Sequence, residues 1–141
     1  MNHEFPFITR IYGATACTNT LHQIFFKKDV TDKEIAAMLL TPISTFGQIS
    51  AELIGRSYGG GILKFELSEL RVLPIITDKA FNNFSLDIVD ELMKKGDFSN
   101  ATKVVDEVVM SYFFGDQKKS AIMSMKEYLS VLRERRRGVN D

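Results

Sequence analysis

Three successive glycines, Gly59, Gly60 and Gly61, stand between Arg56-Ser57-Tyr58 and the extended apolar run Ile62-Leu63-Lys64-Phe65. Glycine reaches φ > 0 at no steric cost and lets a backbone come close to another group. A guanidinium grips a phosphate through paired N–H groups, and an aromatic ring stacks on a base. Arg56, Tyr58, Gly59, Gly60 and Lys64 are therefore candidate nucleic-acid contacts. The same residues admit a structural reading, in which Tyr58 is a core ring and the glycines let a helix and a strand pack together.

The other residues with chemistry to offer are sparse. Cys17 is the one cysteine, with no partner for an internal disulfide or a zinc site, so a reducing cytoplasm is expected. His3 and His22 have no second His or Cys at ligand spacing, which argues against a metal. Cys17 and His22 make no recognised nucleophile–base arrangement, and a passive thiol is expected. Glu69 reads as a first-turn partner of a helix dipole, not as an acid–base group. The glycines follow a helix and precede a strand, the reverse of a nucleotide fold, and lack the Lys-Ser/Thr of a P-loop.

These residues need elements to hold them, and the patterning supplies an α+β arrangement: a small mixed β-sheet with two helices, then a three-helix C-terminal part. Residues 7–12 and 21–26 read as the strands of a hairpin whose turn is rich in Thr and Asn. Thr31 with Glu34 forms a capping box for a helix over 31–40, with Ile35, Met38 and Leu39 as its buried stripe. Pro42 stops it. Ser44 starts the next helix, which runs to Gly55 and turns Ile49, Leu53 and Ile54 to one face. Ser68 is a cap candidate for a short helix that Leu73-Pro74 closes.

After Pro74 the character changes, and Asn82-Asn83 reads as a linker. Ser85 caps a helix over 86–95, with Ile88, Val89 and Leu92 apolar and Lys94-Lys95 ahead of Gly96. Ser99 caps another, to Phe114, with Val104, Val105, Val108 and Tyr112 as its stripe. A last helix runs from Asp116 or Gln117 to Arg136 and faces Ala121, Met125, Tyr128 and Leu132 inward. The expected division is residues 1–78 as an α+β part and 79–141 as a helical part.

Eighteen Lys and Arg balance eighteen Asp and Glu, so no global basic field points to nucleic acid. The local field differs. Between Lys118 and Arg137 the cations are Lys118, Lys119, Lys126, Arg133, Arg135, Arg136 and Arg137, against Glu127 and Glu134. Such a helix end either contacts phosphates or is a solvated turn favoured by the helix dipole. No apolar run approaches ~18 residues, so no membrane partner is expected.

The stretch IGRSYGGGILKFELSELRVLPI resembles a segment in the C-terminal target-recognition region of type II restriction–modification N6-adenine DNA methyltransferases. RIYGATACTNTLHQIFF is similar to a segment that precedes it there, and the ending VLRERRRG resembles the family's termini. The resemblance implies that Arg10 of the first strand, Thr18 and Asn19 of the loop after it, and the Arg56–Gly61 stretch face double-stranded DNA, while the two helices after Thr31 are scaffold; the competing reading of the first segment is a plain β-hairpin with a polar loop. It also implies a bacterial or archaeal cytoplasm.

The Asn/Asp-Pro-Pro-aromatic tetrapeptide that holds the target adenine in these enzymes does not occur here. Neither does a glycine loop after a first strand for S-adenosylmethionine. The expectation is a DNA-recognition piece that holds no cofactor and catalyses nothing alone, with S-adenosylmethionine bound by an N-terminal catalytic domain in the full-length enzyme. The competing expectation is a helical interaction module that docks on that domain or forms a homodimer. A salt series of DNA binding separates the two.

Overall fold

Helix starts in this chain are set by side chains that satisfy orphan amide hydrogens. The computed structural model describes residues 6, 8–11, 13, 16–18 and 21–138. Thr31 Oγ1 accepts from Glu34 N at 3.3 Å and the Glu34 carboxylate accepts from Thr31 N at 2.8 Å, closing the capping box of α1, Asp32–Leu40. A 3₁₀ turn over Thr41–Ile43 carries Pro42. Ser44 Oγ then accepts from Gly47 N at 3.0 Å and opens α2, Thr45–Ile54. Ser85 likewise opens α4, Leu86–Lys94.

Between them lie the strands β1, Arg56–Tyr58, and β2, Ile62–Lys64, and one turn of helix α3, Leu67–Leu70. Then follow α5, Phe98–Phe114, and α6, Lys118–Arg137, which ends at Gly138 with φ 69°. The class is α+β with a three-helix C-terminal part, as the patterning predicts.

Several sequence-based expectations shift. α5 is capped by Asp97, which accepts from Asn100 N at 3.2 Å, and not by Ser99. α3 begins after Glu66, whose N–H donates to Glu69 at 2.6 Å, so Ser68 lies inside the helix. In α1 the buried residues are Ile35, Ala37 and Leu40, while Met38 and Leu39 are half-buried. Leu53, Ile88, Tyr112 and Tyr128 are exposed, and Val105, Asp106, Val109 and Met110 form the inner face of α5. The other expected stripe residues hold: Ile35, Ile49, Val89 and Val105 are buried, and Leu92, Val104, Val108, Ala121, Met125 and Leu132 are half-buried.

The sheet is the larger correction. Residues 21–26 form no strand, and Leu21, Ile24, Phe25 and Phe26 are exposed, Phe25 at 85%. Strand-favouring residues make a strand only where an edge offers pairing and a face offers cover. Of residues 7–12, Phe7 and Tyr12 lie outside the described residues. The strands that do pair are β1 and β2, antiparallel, in the register Arg56↔Lys64, Ser57↔Leu63, Tyr58↔Ile62.

The largest buried cluster joins Ala37, Leu40 and Ile43 to Ile76, Ala80, Phe81, Val89, Ala101, Val105, Val109 and Met110. It draws on both sides of residue 78. Gly47 permits the tight corner before α2, since a Cβ there would lie 1.9 Å from the Thr41 carbonyl oxygen. No helix among the described residues is long and apolar enough to cross a membrane.

Candidate nucleic-acid interface

In an antiparallel pair, alternate residues and their cross-strand partners share a face. The register therefore puts Arg56, Tyr58, Ile62 and Lys64 together, with Ser57 and Leu63 opposite. Leu63 turns inward, where a Cβ on Gly55 would meet its Cδ1 at 2.8 Å. The other face is open. The Arg56 side chain is 58% exposed, Lys64 57% and Tyr58 46%. Tyr58 is thus not a core ring, and of the two readings of this residue the structural one falls.

Lys64 Nζ lies 5.3 Å from the centre of the Tyr58 ring, a cation–π distance. Arg56 Nε donates to Glu69 Oε1, which raises the guanidinium pKa further. Glu69 in turn is held below the ordinary carboxylate range, first by the Glu66 amide and then by Arg56. Lys64 also pairs with Glu66 at 3.4 Å. The acids orient both cations without covering them.

The loop is Gly59-Gly60-Gly61, closed by the Gly61 amide donating to the Tyr58 carbonyl at 3.1 Å. Gly60 and Gly61 have φ of 80° and 72°, a region that favours glycine. A Cβ on Gly59 or Gly60 would meet nothing within 4 Å. On Gly61 it would meet Arg137 Cγ at 3.4 Å and Arg137 Cα at 3.6 Å. The tip is therefore open on one side and seated on the end of α6 on the other. The glycines join two antiparallel strands, whereas a dinucleotide-type loop leads from a strand into a helix.

The structure divides the cations of α6 in two. Arg135 and Arg137 are exposed in the last turn, beside the C-terminal end of the dipole. Arg136 turns inward with only 8% of its side chain exposed. Its Nε and Nη2 donate to the two carboxylate oxygens of Glu52 at 2.7 and 3.0 Å, and its Nη1 donates to the Gly61 carbonyl. Arg133 Nη2 donates to Gln48 Oε1 at 2.7 Å. Counting α6 charges as surface charges misses this. The signal was present in Glu52, the one charged residue of α2.

The remaining sequence candidates sit elsewhere. Arg10 pairs with Asp32 at 3.2 Å. The Thr18 carbonyl accepts from Leu21 N at 3.1 Å, and Asn19 lies outside the described residues. His22 Nε2 donates to the Phe65 carbonyl at 3.0 Å, which ties this segment to the end of β2. Cys17 is exposed, and its Sγ faces the Leu21 carbonyl at 3.9 Å instead of a base. Among the described residues no three His, Cys, Asp or Glu side chains cluster as metal ligands.

The family described as the C-terminal domain of type II methyltransferase M.Eco57I matches residues 1–110. The chain belongs to that family. The match takes in the glycine hairpin and most of α5, while α6 lies beyond it. As a type II methyltransferase C-terminal domain, the chain has its hairpin inside the family region and its Arg136 anchor outside. No curated protein and no solved structure matches it at a significant level.

Proposed function

We propose that this methyltransferase C-terminal domain is the DNA-recognition part of a site-specific adenine-N6 methyltransferase of a restriction–modification system. The reading rests on one observation above others. The β1–β2 register gathers Arg56, Tyr58 and Lys64 on a single exposed face beside an open Gly59-Gly60 backbone. Such a face offers charge-assisted contacts to phosphate, a ring for stacking, and room for a backbone to come within van der Waals contact of the duplex.

Arg10, Thr18 and Asn19 are proposed as further contacts from the N-terminal segment, on the strength of the family resemblance. The same resemblance supplies the partners: an N-terminal catalytic domain that binds S-adenosylmethionine and the flipped adenine, and double-stranded DNA. Adenine-N6 specificity comes from it too. The compartment is proposed as the bacterial or archaeal cytoplasm.

The test is a salt series of DNA binding by the domain and by its Arg56→Ala variant. Phosphate contacts give a linear fall of log K with log salt, and loss of one reduces the slope by about 1. A slope unchanged in Arg56→Ala, with unchanged affinity, rejects the hairpin as the contact surface.

A further inference from the structure

A two-stranded hairpin with three residues per strand is marginal by itself. Residues 56–60 are exposed throughout, so burial does little to fix the orientation of β1 and the tip. A rigid contact face therefore needs support from another element. α6 supplies it. Arg136 lies with Glu52 in a buried pair, with 8% and 2% of their side chains exposed. The carboxylate takes Nε and Nη2, which fixes the plane of the guanidinium. Nη1 is then directed at the carbonyl of Gly61, the loop residue against which the Arg137 backbone also rests.

We infer that Arg136 is a positioning residue for DNA recognition: anchored on Glu52 of α2, it holds the Gly61 carbonyl and so sets the orientation of the Arg56–Tyr58–Lys64 face. This rests on the proposed DNA contact of that face. A buried guanidinium locked on a carboxylate is not placed to meet phosphate itself. Lysine cannot replace it, because a single ammonium lacks the planar fork that serves Glu52 and the carbonyl in fixed relative directions. The assignment also gives α6, outside the family-matched region, a part in the function of the matched one.

The experiment compares the whole chain with its Arg136→Lys, Glu52→Gln and Arg56→Ala variants, by amide hydrogen exchange at residues 59–63 and by binding to a random-sequence duplex over a range of salt. For Arg136→Lys the expected result is faster exchange in the hairpin, protection of α5 unchanged, and affinity reduced about tenfold with an unchanged salt slope. Glu52→Gln, which keeps the acceptor but removes the charge, should show the same pattern more weakly and guards against a lysine variant that fails to fold.

A salt slope reduced by about 1 in Arg136→Lys would make Arg136 a direct phosphate contact and overturn the inference. So would hairpin exchange and affinity like those of the unaltered chain. If exchange quickens but neither Arg136→Lys nor Arg56→Ala changes affinity, the positioning is real but serves something other than DNA, and the inference falls together with the DNA reading.

Discussion

Asp106 receives two hydrogen bonds from Thr45, a residue 61 positions earlier: the amide donates to Oδ1 at 2.7 Å and the hydroxyl to Oδ2 at 2.6 Å. Both residues are at most 1% exposed. Thr45 is the first residue of α2, so a carboxylate from the middle of α5 takes an orphan amide at a helix N-terminus. Burial raises the Asp106 pKa, and the two Thr45 bonds act in the opposite sense.

Removing that carboxylate leaves a buried amide and hydroxyl without their acceptor. Asp106→Ala should destabilise the fold by roughly 2–4 kcal/mol, since each buried donor left unsatisfied costs about 1–3 kcal/mol. Urea unfolding measures it, and a loss under about 1 kcal/mol would show that the network is dispensable.

The raised pKa also has a sign. A carboxyl whose folded pKa lies above its unfolded value favours the protonated form in the folded state. Its contribution is fully present below the unfolded value, 3.8, and is lost as pH rises through the folded one. Comparing the unaltered chain with Asp106→Asn isolates this group from the other carboxylates. The stability difference should move against the native chain as pH climbs from the unfolded value through the raised folded one. A constant difference would contradict it.

Gly47 offers a test in which the usual sign reverses. Glycine to alanine inside a helix ordinarily stabilises by about 0.4–1 kcal/mol. Here the new Cβ would sit 1.9 Å from the Thr41 oxygen and 2.9 Å from Pro42 Cα, both backbone atoms that cannot step aside. Gly47→Ala should therefore lower stability by about 2 kcal/mol or more and reduce the melting temperature by several degrees.

At the hairpin, Arg56→Ala should weaken DNA binding by roughly 1–3 kcal/mol and leave stability within about 1 kcal/mol, since its ion pair with Glu69 is partly exposed. Tyr58→Ala should cost comparable affinity if the ring stacks. Its melting temperature should barely move, because a ring 46% exposed leaves no sealed cavity. A large drop in the melting temperature of Tyr58→Ala would restore the core reading.

The isolated chain should give no heat of binding with S-adenosylmethionine in calorimetry. A micromolar signal would mean that a cofactor site had been assembled from residues with no resemblance to the usual loop.

Sequence legibility followed range. Thr31 with Glu34, Pro42, Ser44 and Ser85 act over one turn of chain, and each marks its helix boundary correctly. Caps were misplaced where a second acceptor stood two residues before the chosen one, Asp97 ahead of Ser99 and Glu66 ahead of Ser68. No strand forms at 21–26, because strand-favouring residues state a preference and not the presence of a partner edge. The candidate face was legible in its residue types, Arg56, Tyr58 and Lys64, but sharing a face depends on the cross-strand register. The Arg136–Glu52 pair spans 84 positions, and no local pattern carries that distance.

That span also orders events in time. A polypeptide emerges from the ribosome from its N-terminus, and α2 and the hairpin are complete long before Arg136 is added. Until then neither the Glu52 carboxylate nor the Gly61 carbonyl has the guanidinium that joins them in the folded structure. Contacts between distant positions form late and slowly, because the intervening loop must close first. The face that carries Arg56 and Tyr58 is made before the residue that sets it, so a nascent domain acquires its hairpin before it acquires its grip.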